Sequence, residues 1–358
     1  MTFAFTADQL ALAEVVDGVL ARHAGAAALR AAAGGDGEVR DVIWRQLAEI
    51  DVCSLTVPER AGGLGLGPIE LVAVLEAAGR HAAPVPLAAT IGGFVPLVVA
   101  AGEGGGAGDV VLARVVAGAR ATFALDPDRA AGLPRWRDGR LTGTVDGILD
   151  ADRVELVAVP VRGSDDRPLL IVAAPDALGI VTTPAMDEVS AIGRIAADGL
   201  VVDGAIELPG DPSPAIDVLL LAAGAELVGL SATLVSLSVE HARNRVQFGK
   251  PIGAFEAVKH RIVDAHLGVE RARSLVRQAA VLAAAADAEA GVVAHLAKAA
   301  ASEAAGEAAR MAVQVHGGIG ITHEHDVSLL YLRARTLAAL LGGADDHYAA
   351  AATAHLAG

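Results

Sequence analysis

The stretches RVQFGKPI (Arg245–Ile252) and QVHGGIG (Gln314–Gly320) decide how this chain is read. Each stands where a long helical run breaks. Residues 216–245 are apolar and rich in leucine and alanine, enough for about 45 Å of helix at 1.5 Å per residue. Two more helices are expected between the motifs, Glu256 to Ala286 and Ala288 to Val315. A last one, Val327 to Leu341, is ended by Gly342 and Gly343. Long helices joined by short breaks make a four-helix bundle, here spanning 213–358.

Upstream, residues 116–212 change character. VELVAVPV and LLIVAA are short, β-branched runs bounded by Gly, Asp and Pro, which read as strands. Turns are expected at Asp138–Gly139 and Asp146–Gly147. Residues 1–115 read as helices again, with Thr6 and Asp8 placed to cap the first and Pro68 placed to open another. The expected fold is α+β: an N-terminal helical domain (1–115), a middle β domain (116–212) and the C-terminal bundle (213–358).

Composition narrows the function classes. With 53% hydrophobic and 20% charged residues among 358, a large core is available and disorder is excluded. Much of the apolar content is alanine, the strongest helix former. A net charge of −15 argues against a nucleic-acid surface, which needs a basic stripe. It leaves room for an anionic ligand, which is held by a few local cations and helix N-termini. Cys53 stands alone, so it reads as a small buried hydrophobe in a reducing, cytoplasmic setting. The start of the chain lacks a basic n-region and a long apolar h-region. Residues 82–102 carry no charge, but Pro84, Pro86, Pro96 and a Gly-Gly pair make them a buried connector, and no membrane insertion is expected.

Several residues of the two motifs have chemistry that a ligand can use. Arg245 offers a fork of donors for phosphate oxygens. Phe248 offers a flat face for a ring. Gly317 and Gly318 follow a helix and let backbone N–H groups approach a ligand closely. The same residue types also fit a helix-end cation at Arg245, core packing at Phe248, a surface amide at Gln314 and a plain helix C-cap at Gly317 and Gly318.

Taken together and in order, about 70 residues apart behind a β segment, these motifs resemble the flavin-dependent acyl-CoA dehydrogenase family over almost the whole chain. VPERAGGLGLG (Val57–Gly67) is similar to the family's PEEYGGLGLG signature. LTGTVDGILDADRVELVAVP (Leu141–Pro160) is similar to its β-domain strands, and YLRAR follows QVHGGIG at a family-like distance. The resemblance implies FAD as cofactor, with Arg245, Gln247, Phe248, Gln314, Gly317 and Gly318 reaching the FAD of a neighbouring subunit. It also implies an acyl-CoA substrate and an electron-transfer acceptor protein.

The chain departs from the family at the chemistry. Acyl dehydrogenation needs a carboxylate to take the α-proton. The register from Arg333 puts Gly342 at the usual glutamate position, and the register back from Arg245 puts Leu219 at the alternative one, with Leu220 beside it. No catalytic residue is therefore assigned. The loop that normally meets the flavin ring reads ALDPDRAAGL (Ala124–Leu133) and lacks the Gly-Ser-Asp part. The LLGG ending resembles the base-lacking subunit of actinobacterial heterotetrameric steroid-type acyl-CoA dehydrogenases. That implies an α2β2 assembly in which a second family subunit carries the glutamate. Two alternatives stay open: a free-standing dehydrogenase or oxidase using Glu226, Asp345 or Asp346 as a displaced base, and a structural paralogue without flavin. His316, His323, His325 and His347 share the C-terminal region, but their spacing forms no metal-binding helix pair, and no metal is expected.

Overall fold

The structure, a computed structural model, describes residues 4–102, 106–125 and 132–357. Its first helices are set by local caps. Thr6 and Gln9 form a reciprocal capping box at the start of α1 (Ala7–His23). After α2 (Ala26–Ala33), Asp36 accepts from Glu38 and Val39 N–H to open α3 (Gly37–Ala48). Pro68 takes the first position of α4 (Pro68–Arg80), while Glu70 reaches back to the Gly67 N–H. The uncharged stretch 82–102 becomes a buried π-helical segment (Ala88–Phe94) running into α5 (Val95–Ala101), with Ile91 and Phe94 fully enclosed. α6 (Ala107–Val116) then leads to the sheet.

Eight strands form one sheet: β1 (Ala121–Phe123), β2 (Arg135–Arg137), β3 (Arg140–Leu149), β4 (Leu156–Arg162), β5 (Pro168–Ala173), β6 (Val181–Pro184), β7 (Ala191–Val201) and β8 (Ile206–Leu208). The order is β6-β7-β3-β2-β4-β5-β8, with β1 parallel to β4. Asp138 and Gly139 link β2 to β3 with φ of 50° and 73°, the positive pair a tight hairpin needs. Asp146–Gly147 differs from expectation. It lies inside β3, where the register against β7 shifts between Val145 and Ile148. The pair is a bulge rather than a turn, because pairing with the long β7 carries β3 through it.

The bundle comprises α7 (Ile216–Asn244), α8 (Glu256–Ala284), α9 (Ala290–His316), α10 (Asp326–Ala339) and α11 (Ala344–Ala357). The last helix exceeds expectation. Its sequence, ADDHYAAAATAHLA, shows no amphipathic stripe and follows two glycines, so only alanine's propensity announces it. Two helical stretches, Ser213–Asn244 and Asp326–Leu356, are long and apolar enough to cross a membrane by length and composition, yet 72% of the first one's apolar window is buried inside the fold. α4 and α7 cross at backbone contact. A Cβ on Gly79 would sit 2.1 Å from the Glu226 carbonyl, and one on Gly229 would sit 2.1 Å from that of Glu76. Only glycine permits this approach, and it fixes where Glu226 points.

All three regions meet at one guanidinium. Arg333 of α10 is 1% exposed. Its Nη1 donates to Asp187 Oδ2 at 3.0 Å and to the Ser190 hydroxyl, and its Nη2 lies 3.6 Å from Glu226 Oε1 on α7. From the N-terminal helices, Arg40 donates to the Val189 carbonyl at 2.5 Å, between those partners. Burial works against the Asp187 charge, but Arg333 and the Ser190 hydrogen bonds outweigh it and hold the carboxyl below its ordinary range. Burial pushes the nearby Asp150 carboxyl up to about 6. Arg333→Ala leaves two buried carboxylates uncompensated. It should cost about 3–5 kcal/mol by chemical denaturation. Arg310→Ala, which removes an exposed pair with Glu307, should cost less than about 1 kcal/mol. Equal losses in the two variants would refute the role given to Arg333.

Candidate functional site

α7 stops because the chain turns back on itself. Arg245 leaves the helix with φ −78° and ψ 118°, its N–H still bonded to the His241 carbonyl. A short hairpin follows, β9 (Val246–Gln247) against β10 (Lys250–Pro251), with Phe248 and Gly249 at the tip in positive φ, 51° and 78°. The Phe248 ring is 91% exposed and touches only the edge of Phe255, 6.2 Å away between centroids. Arg245 and Gln247 are exposed beside it. At the end of α9, Gln314, Gly317 and Gly318 are exposed as well, and nothing lies within 4 Å of where a Cβ would stand on either glycine. The His241 and His316 rings, 4.2 Å apart, bring the two helix ends together. The sequence-derived residues Arg245, Gln247, Phe248, Gln314, Gly317 and Gly318 thus occupy one open end of the bundle.

The two base positions flank a different region. Leu219 is 3% exposed and lines a cavity of about 40 Å³. Ala88, Ala89, Phe123, Gly147, Leu149, Leu337, Leu340 and Leu341 complete its apolar wall, with Ala222, Ala223 and Glu226 along α7. That volume holds about three waters at roughly 10–15 Å³ each. Leu341 and Gly342 adopt φ of 65° and 106°, a left-handed turn between α10 and α11. The turn puts Leu340 and Leu341 in the cavity wall and turns residue 342 away. A Cβ on Gly342 would face Asp346 and His347 of α11, at 3.6 Å from each. Of the displaced-base candidates, Glu226 is the one titratable side chain lining the cavity. Burial raises its pKa, and Arg333 opposes that shift. Asp346 accepts from the Gly343 N–H at 2.8 Å, and neither it nor Asp345 reaches the cavity. Residues 126–131 of the flavin-ring loop lie outside the described residues. Phe123 and the buried Ala124 and Leu125 precede them.

The histidines divide into two groups. His316 meets His241 and His325, whereas His347 faces His295 with Nδ1 atoms 2.9 Å apart. Among the described residues no group of three or more His, Cys, Asp or Glu is arranged to hold a metal ion.

Residues 6–104 match the acyl-CoA dehydrogenase N-terminal domain, and residues 218–353 match the acyl-CoA dehydrogenase C-terminal domain. The acyl-CoA dehydrogenase IpdE2 of Mycobacterium tuberculosis (strain ATCC 25618 / H37Rv) is 33% identical over 336 residues, 92% of each chain. The chain belongs to the acyl-CoA dehydrogenase family. Acyl-CoA dehydrogenases are flavoprotein oxidoreductases, and relatives of known structure include heteromeric ones. The ChsE4–ChsE5 complex from Mycobacterium tuberculosis superposes with a TM-score of 0.89 at 26% identity, over 100% of this chain and 99% of that one. The Tcur3481–Tcur3483 steroid ACAD G363A variant superposes with a TM-score of 0.88 at 28% identity, over 98% and 99%.

The acyl-CoA dehydrogenase cofactor can be tested against these residues. An arginine fork, an exposed ring and a pair of glycines with open space above them fit a flavin dinucleotide laid along this end of the bundle from outside. Sequence reasoning missed the Arg333–Asp187–Glu226 network and the plug formed by Leu340 and Leu341. The first joins residues 146 and 107 positions apart, beyond any local pattern. The second had a signal in the Leu-Leu-Gly-Gly run, but its direction depends on backbone angles. Gly342→Glu should therefore yield no acyl-CoA oxidation. Its side chain would face α11 from a strained backbone costing about 1–3 kcal/mol. Turnover by that single variant, followed by dye reduction, would show that the turn can reverse.

Proposed function

We propose that this chain is the base-lacking subunit of a heteromeric acyl-CoA dehydrogenase and completes the FAD site of a partner subunit. The observation that carries the reading is a contrast. The cavity under Leu219 holds only about 40 Å³ and has no carboxylate at either family base position, while the six flavin-type residues stand exposed. A chain with its own active site needs room for the thioester and a carboxylate beside it. The likeness to two heteromeric assemblies supports an α2β2 arrangement, and the steroid ACAD among them supports a bulky acyl-CoA of steroid side-chain type.

In this reading the partner's glutamate takes the α-proton of the thioester. FAD, when bound, accepts the hydride from the β-carbon and passes electrons to an electron-transfer acceptor protein. This chain supplies binding and exclusion. Arg245 holds phosphate oxygens with its fork, and Phe248 covers a ring face. Gln314 donates its amide, and the open backbone at Gly317 and Gly318 admits close approach. The leucine plug denies the chain's own cavity to substrate.

A free-standing dehydrogenase has one observation in its favour, the position of Glu226 in the cavity wall. Colour separates the readings. The lone chain should purify colourless and inert, and co-expression with a glutamate-bearing family member should give a yellow, active complex. A yellow lone chain that oxidises an acyl-CoA and loses activity on Glu226→Gln would overturn the proposal. Arg245→Ala should weaken FAD binding in the complex by about 10- to 100-fold, the loss of a charge-assisted contact of about 1.5–3 kcal/mol. Full flavin occupancy in that variant, read at the flavin absorbance band under dilution, would remove Arg245 from the site.

A further inference from the structure

Three histidine rings sit at the root of the two exposed segments. His241 lies in the last turn of α7, one turn before Arg245. His316 ends α9, directly before Gly317, and is 7% exposed. His325 caps α10. Ring centroids are 4.2 Å apart for His241–His316 and 4.8 Å for His316–His325, tilted by 33° and 56°. His316 Nδ1 lies 2.8 Å from the Ala312 carbonyl, so its proton sits on Nδ1. His325 Nδ1 accepts from the Val327 N–H at 3.2 Å, so its Nδ1 carries none. His325 is therefore neutral in this arrangement, and His316 keeps its Nε2 free of the Ala312 contact.

We propose that His241, His316 and His325 form a latch that positions the hairpin Arg245–Pro251 against the turn Gly317–Ile321, and that the latch opens when its rings are protonated. The proposal rests on the reading of these two segments as flavin contacts. Protonating His325 removes the acceptor that caps α10. Protonating His241 or His316 sets like charges in ring-to-ring contact. The Ala312 carbonyl favours a charged His316, and burial opposes that more strongly. The charges acting on His241 are His325 and Arg245, and those acting on His316 are His241 and His325. Lys250 on the hairpin is turned over the Phe255 ring, and Asp326 beside His325 is engaged by Arg30 of α2. Burial is the main cause that pushes His241 and His316 below the ordinary 6.5, helped by these cations. The sign follows. The closed latch is intact above about pH 6.5 and is lost as pH falls from there through the depressed folded-state values.

Hydrogen exchange on the isolated chain tests the latch without flavin. After correction for intrinsic rates, the amides of residues 245–255 and 317–325 should open several-fold more at about pH 5.5 than at about pH 7.5. His316→Phe keeps a ring without a charge and should flatten the step. His325→Asn keeps a capping acceptor and should reduce it, and it serves if the buried His316 variant fails to fold. Opening that is the same at both pH values, or a step undiminished in both variants, would overturn the latch. FAD affinity of the co-expressed complex, read by flavin fluorescence, should fall over the same range and become flatter in the variants. Segments that open without loss of FAD would leave the latch standing and remove them from the flavin site.

Discussion

The fold hangs on the Arg333 guanidinium. It is fully enclosed, and its partners come from two separate stretches of chain: Asp187 and Ser190 from the turn before β7, Glu226 from α7. Arg40 reaches the same turn from α3 through the Val189 carbonyl. A buried ion pair of this kind contributes little net energy, since desolvation consumes most of the attraction. What it contributes is geometry. Hydrophobic surfaces slide, whereas a guanidinium with two carboxylates accepts few arrangements. The network therefore fixes how the sheet, the first helices and the bundle face one another. It also engages Glu226, so the one titratable group in the cavity wall among the described residues is already part of the frame.

The cavity owes its size to the left-handed turn at Leu341 and Gly342. α10 must stop there because the backbone reverses hand. Lys298, buried and with its pKa pushed down to about 7, donates to the Ala338 carbonyl at 3.2 Å and to the Ser302 hydroxyl, closing the helix end. With the last turn held, the two leucines have nowhere to go but inward. A proton-accepting group at residue 342 would need the opposite turn. The turn that faces residue 342 toward α11 is also the turn that sets Leu340 and Leu341 in the cavity wall.

Much of this was legible in the sequence, and the reasons are local. The cap at Thr6, Pro68, the break at RVQFGKPI and the glycines at 317–320 act over a few residues, so reading them places helix ends to within a turn, whereas Asp8 falls in the first turn of α1 and the cap at Asp36 went unread. The expected β region emerged as a single sheet, since β-branched runs bounded by turn residues report their own state. Long-range choices were not legible. Asp146–Gly147 has turn chemistry but lies in a strand, because β7 pairs through it. α11 has no stripe to announce it. At the candidate site, register counting reached Gly342 and Leu219, but only backbone angles reveal that the first faces α11 and the second a closed cavity. The sequence groups His316 and His325 with His323 and His347 but gives no sign that His241 joins the first two, since the stack's members come from three helix ends.

The hairpin tip has a cost in the cell as well as a use. Phe248 at 91% exposure stands with Val246 at 55%, Ile319 at 47% and Ile321 at 70%, so the open end of the bundle is adhesive. A subunit that displays such a surface before meeting its mate invites chaperones, proteases and its own copies. In the heteromeric reading proposed above, matched synthesis of the two chains becomes a condition of survival for this one, and an unpaired surplus would be cleared rather than stored.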